Sequence, residues 1–268
     1  MTLFASDAML VRMYLPSMQV ADQVALVTGA GSGIGRAIAL ALAEAGAHVA
    51  VTELPDRLPK AVEVGDQIRA LGRESLALPL DVTDVPSIGP IVDTVRKQLG
   101  RLDLLVNNAG VQVARPALDV SEDDWDRVVD VNLRGVFFCA QAAGRVMVAQ
   151  NHGRIVNVAS QNGVVGYFNR AAYCAAKAGV VNLTRVLAIE WAPHNVLVNA
   201  VAPTFVRTPM GERTLSDPAV RDDILRRIPL GRIAEPEDVV GAVVYLASAA
   251  AAMVTGHTLL IDGGWTAW

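Results

Sequence analysis

The sequence predicts an α/β chain, a single-domain doubly wound sheet of about seven parallel strands with helices on both faces. Three observations predict it. From Gln23 onward, short β-branched runs alternate with longer helical patterns. The short runs are near-continuously apolar, as strands covered on both faces must be. No linker rich in Pro or Ser and no internal repeat divides the 268 residues, a length at which α/β folds often form one domain.

The elements follow in order. Val24–Val27 is a strand, followed by a Gly-rich turn and an alanine-rich helix to about Ala45. His48–Val51 is the second strand, with a helix over Lys60–Leu71. Leu76–Leu80 is the third, with its helix over Ser87–Leu99. Leu102–Val106, Gly153–Val158, Asn195–Ala200 and His257–Ile261 supply strands four to seven, with helices centred near Val129, Ala142, Ala178 and Val243. Ala202–Arg232, broken by Pro203, Pro209, Pro218 and Pro229, reads as a long irregular segment. In a compact α/β domain such a segment is usually a binding lid, so a lid is expected over about 202–232. Residues 21–268 are then the domain and residues 1–20 an amino-terminal extension.

Composition excludes several classes. Lys plus Arg is 23 and Asp plus Glu 27, a net charge of −4, which gives no electrostatic reason to expect nucleic acid or an anionic membrane as partner. Hydrophobic residues at 52% and charged residues at 19% exclude intrinsic disorder. Cys139 and Cys174 are too few for a disulfide framework and lack metal-ligand spacing, which points to the reducing cytoplasm. His48, His152, His194 and His257 show no metal pairing either, so no metal site is assigned. The amino terminus lacks a basic region before its apolar stretch, and Asp7 and Arg12 interrupt it, against a secretory signal. Val239–Gly256 runs eighteen residues without a formal charge, but six alanines, two glycines, Ser248 and Thr255 read as a buried helix, a loop and a strand.

Chemistry begins at Thr28-Gly-Ala-Gly-Ser-Gly-Ile-Gly35. Glycines between a strand and a helix let the backbone approach a pyrophosphate, whose charge the helix N-terminus stabilises. The spacing is T-G-x-x-x-G-x-G, not the literal G-x-G-x-x-G fingerprint. Glu53 follows the second strand, 20 residues after Gly33, where a dinucleotide fold places the carboxylate that holds the adenosine ribose hydroxyls. A carboxylate there also repels a 2′-phosphate, so NAD is expected in preference to NADP. Arg36 and Arg57 are the competing basic residues.

With Asp81 in Asp-Val-Thr, Asn107-Asn-Ala-Gly110, Asn132, Ser160 and Tyr173-x-x-x-Lys177 added in that order and spacing, the chain from Gln23 to Trp268 strongly resembles the short-chain dehydrogenase/reductase family. The resemblance implies a Rossmann-type fold, a homotetramer and oxidoreduction of CH–OH groups. It implies that Gly29, Ser32, Gly33, Ile34 and Gly35 hold the cofactor phosphates, that Asp81 and Val82 flank the adenine, and that Asn108, Ala109 and Gly110 line the cofactor groove. Pro203, Val206 and Thr208 complete the cofactor set from the lid side. Asn132, Ser160, Tyr173 and Lys177 form the catalytic set, with Asn132 holding a water that relays protons to the lysine.

The Tyr–Lys pair also has a physical rationale. Four residues apart on a helix, the two share a face. A positive charge at ~4 Å and an effective dielectric of ~20 favours the phenolate by about 4 kcal/mol, roughly three pKa units. With the second positive charge that an oxidised nicotinamide adds, a tyrosine poised near neutrality is expected, as general base work needs. Ser160 ends a strand, where α/β folds bind ligands, and its hydroxyl is placed to bond the substrate oxygen. Cys174 points about 100° away from the tyrosine and reads as a packed residue.

The substrate is the least legible part. Gln161, Asn162, Phe168, Asn169 and Arg170 precede the catalytic helix, and Thr204, Phe205, Arg207 and Thr208 stand in the lid. Neutral hydrogen-bonding groups beside two aromatics suit a polyol or sugar better than a long acyl chain, although the same residues read equally well as loop groups facing water. Ser160, Gln161, Asn162, Phe168, Tyr173, Thr204 and Phe205 are the candidate substrate residues. Thr204 departs from the family's usual Gly after Pro203. The ending Asp262-Gly-Gly-Trp-Thr-Ala-Trp268 resembles members acting on polyols, sugars and sugar acids, such as gluconate 5-dehydrogenase-like and galactitol dehydrogenase-like enzymes. In the family, tails of this kind often pack at subunit contacts, which leaves open whether Trp268 reaches a neighbour's site. Three readings stand. They are an NAD-dependent polyol, sugar or sugar-acid dehydrogenase, an NADPH-dependent 3-oxoacyl thioester reductase, and a non-catalytic dinucleotide sensor. Cofactor preference separates the first two, and turnover of any alcohol removes the third.

Overall fold

A computed structural model describes residues 16–267. Seven strands, β1 (Val24–Val27), β2 (His48–Glu53), β3 (Ser75–Pro79), β4 (Leu104–Asn107), β5 (Gly153–Val158), β6 (Val196–Pro203) and β7 (Thr258–Ile261), form one sheet in the order β3-β2-β1-β4-β5-β6-β7. Every pairing is parallel. The order reverses between β1 and β4, and the crevice at such a reversal is where doubly wound sheets take their ligands. β1 and β4 are fully buried, which is why they read as unbroken apolar runs rather than alternating ones.

Helices α1 (Gly33–Glu44), α2 (Leu58–Ala70) and α9 (Glu237–Ala247) cover one face, with Ile38, Leu42, Val64, Ile68 and Leu246 in its core. α3 (Val85–Leu99), α5 (Gly135–Gln150) and α6 (Ala171–Trp191) cover the other, around Leu105, Met147 and Ile155. Beneath the crevice a polar chain crosses that core. Asn107 Nδ2 donates to Asn157 Oδ1 at 2.9 Å and Asn157 Nδ2 to Thr184 Oγ1 at 3.0 Å, so buried hydrogen bonds tie β4, β5 and α6 to one another.

Three details differ from the sequence expectation. The fold begins before residue 21, since Val20 is buried and its N–H donates to Ala45 O at 2.9 Å; the rest of the expected extension, residues 1–15, and Trp268 lie outside the described residues. The helices expected near Val129 and Ala142 run together, α4 (Glu122–Val129) passing through a π-helical segment at Asp130–Arg134 into α5. The segment expected to be irregular carries two helices, α7 (Pro209–Leu215) and α8 (Pro218–Arg227), each with Pro in its first turn and a capping side chain, Thr208 or Asp217. α6 with its continuation to His194 is long and apolar enough to cross a membrane by length and composition, but it lies against β6 in the core.

Candidate active site

The crevice is built first from backbone. Gly29 adopts φ +62°, and a Cβ there would stand 2.9 Å from Ala109 Cα. A Cβ on Gly31 would stand 2.8 Å from Glu53 Oε2. The turn is therefore bare backbone held tightly between β2 and β4. Thr28 Oγ1 accepts from the N–H groups of Asn108 and Ala109 at 3.0 and 3.1 Å, and Asn108 Nδ2 donates to the carbonyls of Thr28 and Gly29, each at 3.0 Å. α1 then starts at Gly33 with no side-chain cap from Ser32 and no acid in its first turn. Its amide N–H groups and dipole are left free to meet an anion. These residues fit a dinucleotide pyrophosphate.

Glu53 is 8% exposed at the end of β2, its Oε2 accepting from Gly31 N–H at 3.2 Å and its Oε1 from Leu54 N–H at 3.0 Å. Arg36 is turned away to Gln67 Oε1 at 3.0 Å, and Arg57 is exposed beside Asp56. Lys60, which sequence reasoning passed over, lies closer, with its Cβ 3.0 Å from where a Gly31 Cβ would be. Asp81 Oδ1 accepts from Thr83 N–H and hydroxyl at 2.9 and 2.7 Å, and Val82 is buried against Gly135. From the lid, Thr208 caps α7 through Gly211 N–H at 3.0 Å, and its Cβ would lie 3.2 Å from a Cβ on Gly33. The lid helix thus rests on the glycine turn.

On the other side of the crevice, Ser160 follows β5 and Tyr173 and Lys177 project from α6. Ser160 is 8% exposed, its Oγ accepting from Asn162 N–H at 3.1 Å. Lys177 is buried, donates to Val158 O at 2.7 Å, and holds its Nζ 5.7 Å from the Tyr173 ring centroid. Burial pushes the lysine down to about 8.

The chain's own groups do not by themselves supply the expected lowering of the tyrosine. Burial, the largest influence, pushes the Tyr173 phenol above its ordinary value. A hydrogen bond with Ser160 and the charge of Arg170 pull the other way, and Cys174 adds a small rise. The Coulomb argument placed a cation at ~4 Å, whereas the lysine is drawn toward the Val158 carbonyl, so desolvation wins.

Asn132 is fully buried in the π-helical segment. Its Nδ2 donates to Val111 O and Val128 O, each at 2.8 Å, which leaves Oδ1 buried with no partner. π-helical turns concentrate at functional sites, and this one explains how an asparagine unfavourable within a regular helix is accommodated.

The candidate substrate residues divide. Gln161 is 1% exposed with both amide ends unpartnered, and Asn162 Oδ1 and Thr204 Oγ1 are likewise buried without partners. Each such group costs about 1–3 kcal/mol unless a ligand or water satisfies it. The two aromatics do not act together. Phe205 packs with Tyr167 and Trp265, ring centroids 5.3 and 5.7 Å away, inside the lid cluster, while Phe168 is 69% exposed. Sequence reasoning also missed the weight of Arg170, a buried cation one helical turn before Tyr173. Among the described residues no three His, Cys, Asp or Glu side chains gather at metal-binding range.

A family profile described as Enoyl-(Acyl carrier protein) reductase matches residues 29–266. An NAD-dependent glycerol dehydrogenase of Listeria innocua serovar 6a is 41% identical over 92% of this chain and 95% of its own length. A 3-oxoacyl-[acyl-carrier-protein] reductase of Thermotoga maritima is 41% identical over 92% and 99%. The crystal structure of a gluconate 5-dehydrogenase from Burkholderia cenocepacia J2315, in complex with NADP and tartrate, superposes with a TM-score of 0.90 at 35% identity, over 94% of this chain and 98% of that chain. Fold, crevice and relatives agree, and the chain belongs to the short-chain dehydrogenase/reductase family as a nicotinamide-dinucleotide-dependent oxidoreductase acting on CH–OH groups.

Proposed function

We propose that this enzyme moves a hydride between a secondary alcohol of a polyol, sugar or sugar acid and NAD. The observation that carries the substrate class is the group of buried, unpartnered polar atoms on Gln161, Asn162 and Thr204 beside Ser160. A site built to hydrogen-bond hydroxyls leaves such groups waiting, and it rejects ligands that cannot pair them. The glycerol and gluconate dehydrogenases among its relatives support the same reading.

The chain's own groups divide the work. When bound, the nicotinamide supplies the hydride acceptor or donor. Gly29, Ser32, Gly33, Ile34 and Gly35 hold the phosphates, and Asp81, Val82, Asn108, Ala109 and Gly110 line the groove. Pro203, Val206 and Thr208 close it. Ser160 donates to the substrate oxygen and fixes the alcohol against Tyr173. Tyr173 takes the hydroxyl proton in oxidation and returns it in reduction. Lys177 presents its charge to the phenolate as it forms, offsetting the burial that raises the phenol. Asn132 holds a water that passes protons to Lys177, a role its buried and unpartnered Oδ1 supports.

Glu53 supports NAD, since its carboxylate accepts ribose hydroxyls and repels a 2′-phosphate. Lys60 beside Gly31 is the observation that favours weaker use of NADP. Exposed Val186 and Ile189 on α6 support a homotetramer, and the two free cysteines a cytoplasmic setting. The test is cofactor absorbance with NAD and NADP separately over polyols, aldoses, aldonates and 3-hydroxyacyl thioesters. NAD-linked turnover of a polyhydroxylated substrate is expected. NADP-linked turnover of acyl thioesters alone would overturn the reading in favour of the reductase.

A further inference from the structure

Between α6 and the lid lies a cleft of about 420 Å³, bounded by Tyr167, Phe168, Arg170, Arg213, Thr214 and Asp223. Arg170 is 4% exposed, and its partners are all neutral. Nη1 donates to Asn169 O at 3.3 Å and Nη2 to Thr214 Oγ1 at 3.0 Å. The Gln112 side-chain amide, with its oxygen end oriented toward the guanidinium, meets Nε, Nη1 and Nη2 at 2.6 to 2.9 Å. Among the described residues no carboxylate pairs with it. Burial lowers its pKa, as expected of a cation held away from water without a counter-charge.

An uncompensated buried cation costs several kcal/mol, and proteins normally offset that with an acid. Here the nearest acids are otherwise engaged. Asp223 is held by Arg227 at 2.9 Å and by the Tyr167 hydroxyl at 3.1 Å, and Asp217 caps α8 through Ala219 N–H at 2.9 Å. One amide oxygen of Gln112 spans three guanidinium nitrogens, occupying the place where the two oxygens of a carboxylate would fit as a bidentate pair. Gln112 sits on a half-exposed loop after β4, so its amide is the partner most readily exchanged.

We infer that Arg170 receives the carboxylate of the substrate, which makes the natural substrate a hydroxy acid of the sugar-acid class rather than a neutral polyol. Three residues separate Arg170 from Tyr173, about 4.5 Å of helix rise, so the cleft anchors one end of a short polyhydroxylated chain while Ser160 and Tyr173 hold the reacting carbinol. The acids Asp217 and Asp223 on the cleft wall favour a monoanion over a phosphate dianion. Arg170 is then a specificity residue. The inference rests on the proposed dehydrogenase reading for its substrate, but the anion site can be tested separately.

The experiment compares aldonate and alditol pairs of the same carbon skeleton, such as gluconate and sorbitol, with native enzyme and Arg170→Gln. The native enzyme is expected to favour the acid at least tenfold in kcat/KM. R170Q should erase that preference through KM while changing alditol kcat/KM less than threefold. Succinate, which has no carbinol to oxidise, is titrated calorimetrically against both proteins in NAD. Its binding should weaken at least tenfold in R170Q, and R170K should recover part of it. Equal losses on acid and alditol would overturn the inference by making Arg170 a mere latch between α6 and α7. Native preference for the alditol or for a sugar phosphate would overturn it too, as would succinate binding indifferent to residue 170. If no polyhydroxylated compound turns over, the dehydrogenase reading fails, and the succinate titration alone decides the anion site.

Discussion

The two sides of the crevice are built in different ways. The side from β1 to β4 presents backbone, through a glycine turn too tight for side chains, a helix start without a cap, and carbonyls and amides locked by Thr28 and Asn108. The side from β5 to α8 presents side chains, several of them buried and unpaired. Backbone recognition suits the pyrophosphate that NAD and NADP have in common. Side-chain recognition leaves the substrate open to change by single substitutions, as relatives with different names on one fold illustrate.

The largest expected effect lies on the side-chain half. Tyr173→Phe should lower turnover by about 10²–10⁴-fold with NAD affinity nearly unchanged, measured by steady-state rates beside fluorescence titration of the cofactor. Retention of more than a few per cent of turnover would remove Tyr173 from its role. On the backbone half, Glu53→Ser should weaken NAD by about tenfold or more and improve NADP, read as the ratio of their kcat/KM values. An unchanged ratio would mean that Lys60, not Glu53, governs the choice.

A pH profile sharpens the comparison further. Burial raises Tyr173, so its phenolate fraction grows as pH rises, and oxidation should climb from neutral into alkaline solution. A profile flat across that range would remove the phenol as the titrating group. The smallest effect belongs to the lid. Tyr167→Phe removes the hydroxyl that donates to Asp223 Oδ2 and should cost about 1 kcal/mol of stability in a denaturant titration, leaving the cofactor half untouched.

The same contrast decides what was legible in the sequence. The strands, the glycine turn and the Tyr173–Lys177 spacing are local patterns with fixed periods, and each lies where the pattern puts it. Glu53 was legible because its distance along the chain from Gly33 follows from one strand–helix–strand unit. α7 and α8 were not, since helices of seven and ten residues set among prolines and mixed charges carry too little periodicity. The π-helical segment around Asn132 leaves no mark in composition. The burial of Arg170 depends on Gln112 and Thr214 arriving from two distant segments, so its charge reads from sequence as ordinary loop polarity. The raising of Tyr173 in the chain alone was not legible for a related reason. A pairwise Coulomb sum over neighbours in sequence omits the desolvation that the assembled crevice imposes.

Trp265 gives the lid a signal of its own. Its indole is 7% exposed, 5.6 Å from the Tyr167 ring, with the guanidinium of Arg227 on α8 5.9 Å from its centroid. An opening that draws α8 away from the sheet takes a cation from the indole and admits water to it, which shifts the emission to longer wavelength and changes its yield. Trp125, 42% exposed on α4, stays outside that movement and serves as an internal reference. The enzyme therefore carries a native optical probe for any displacement of α8 from the sheet, readable by stopped-flow fluorescence without a label.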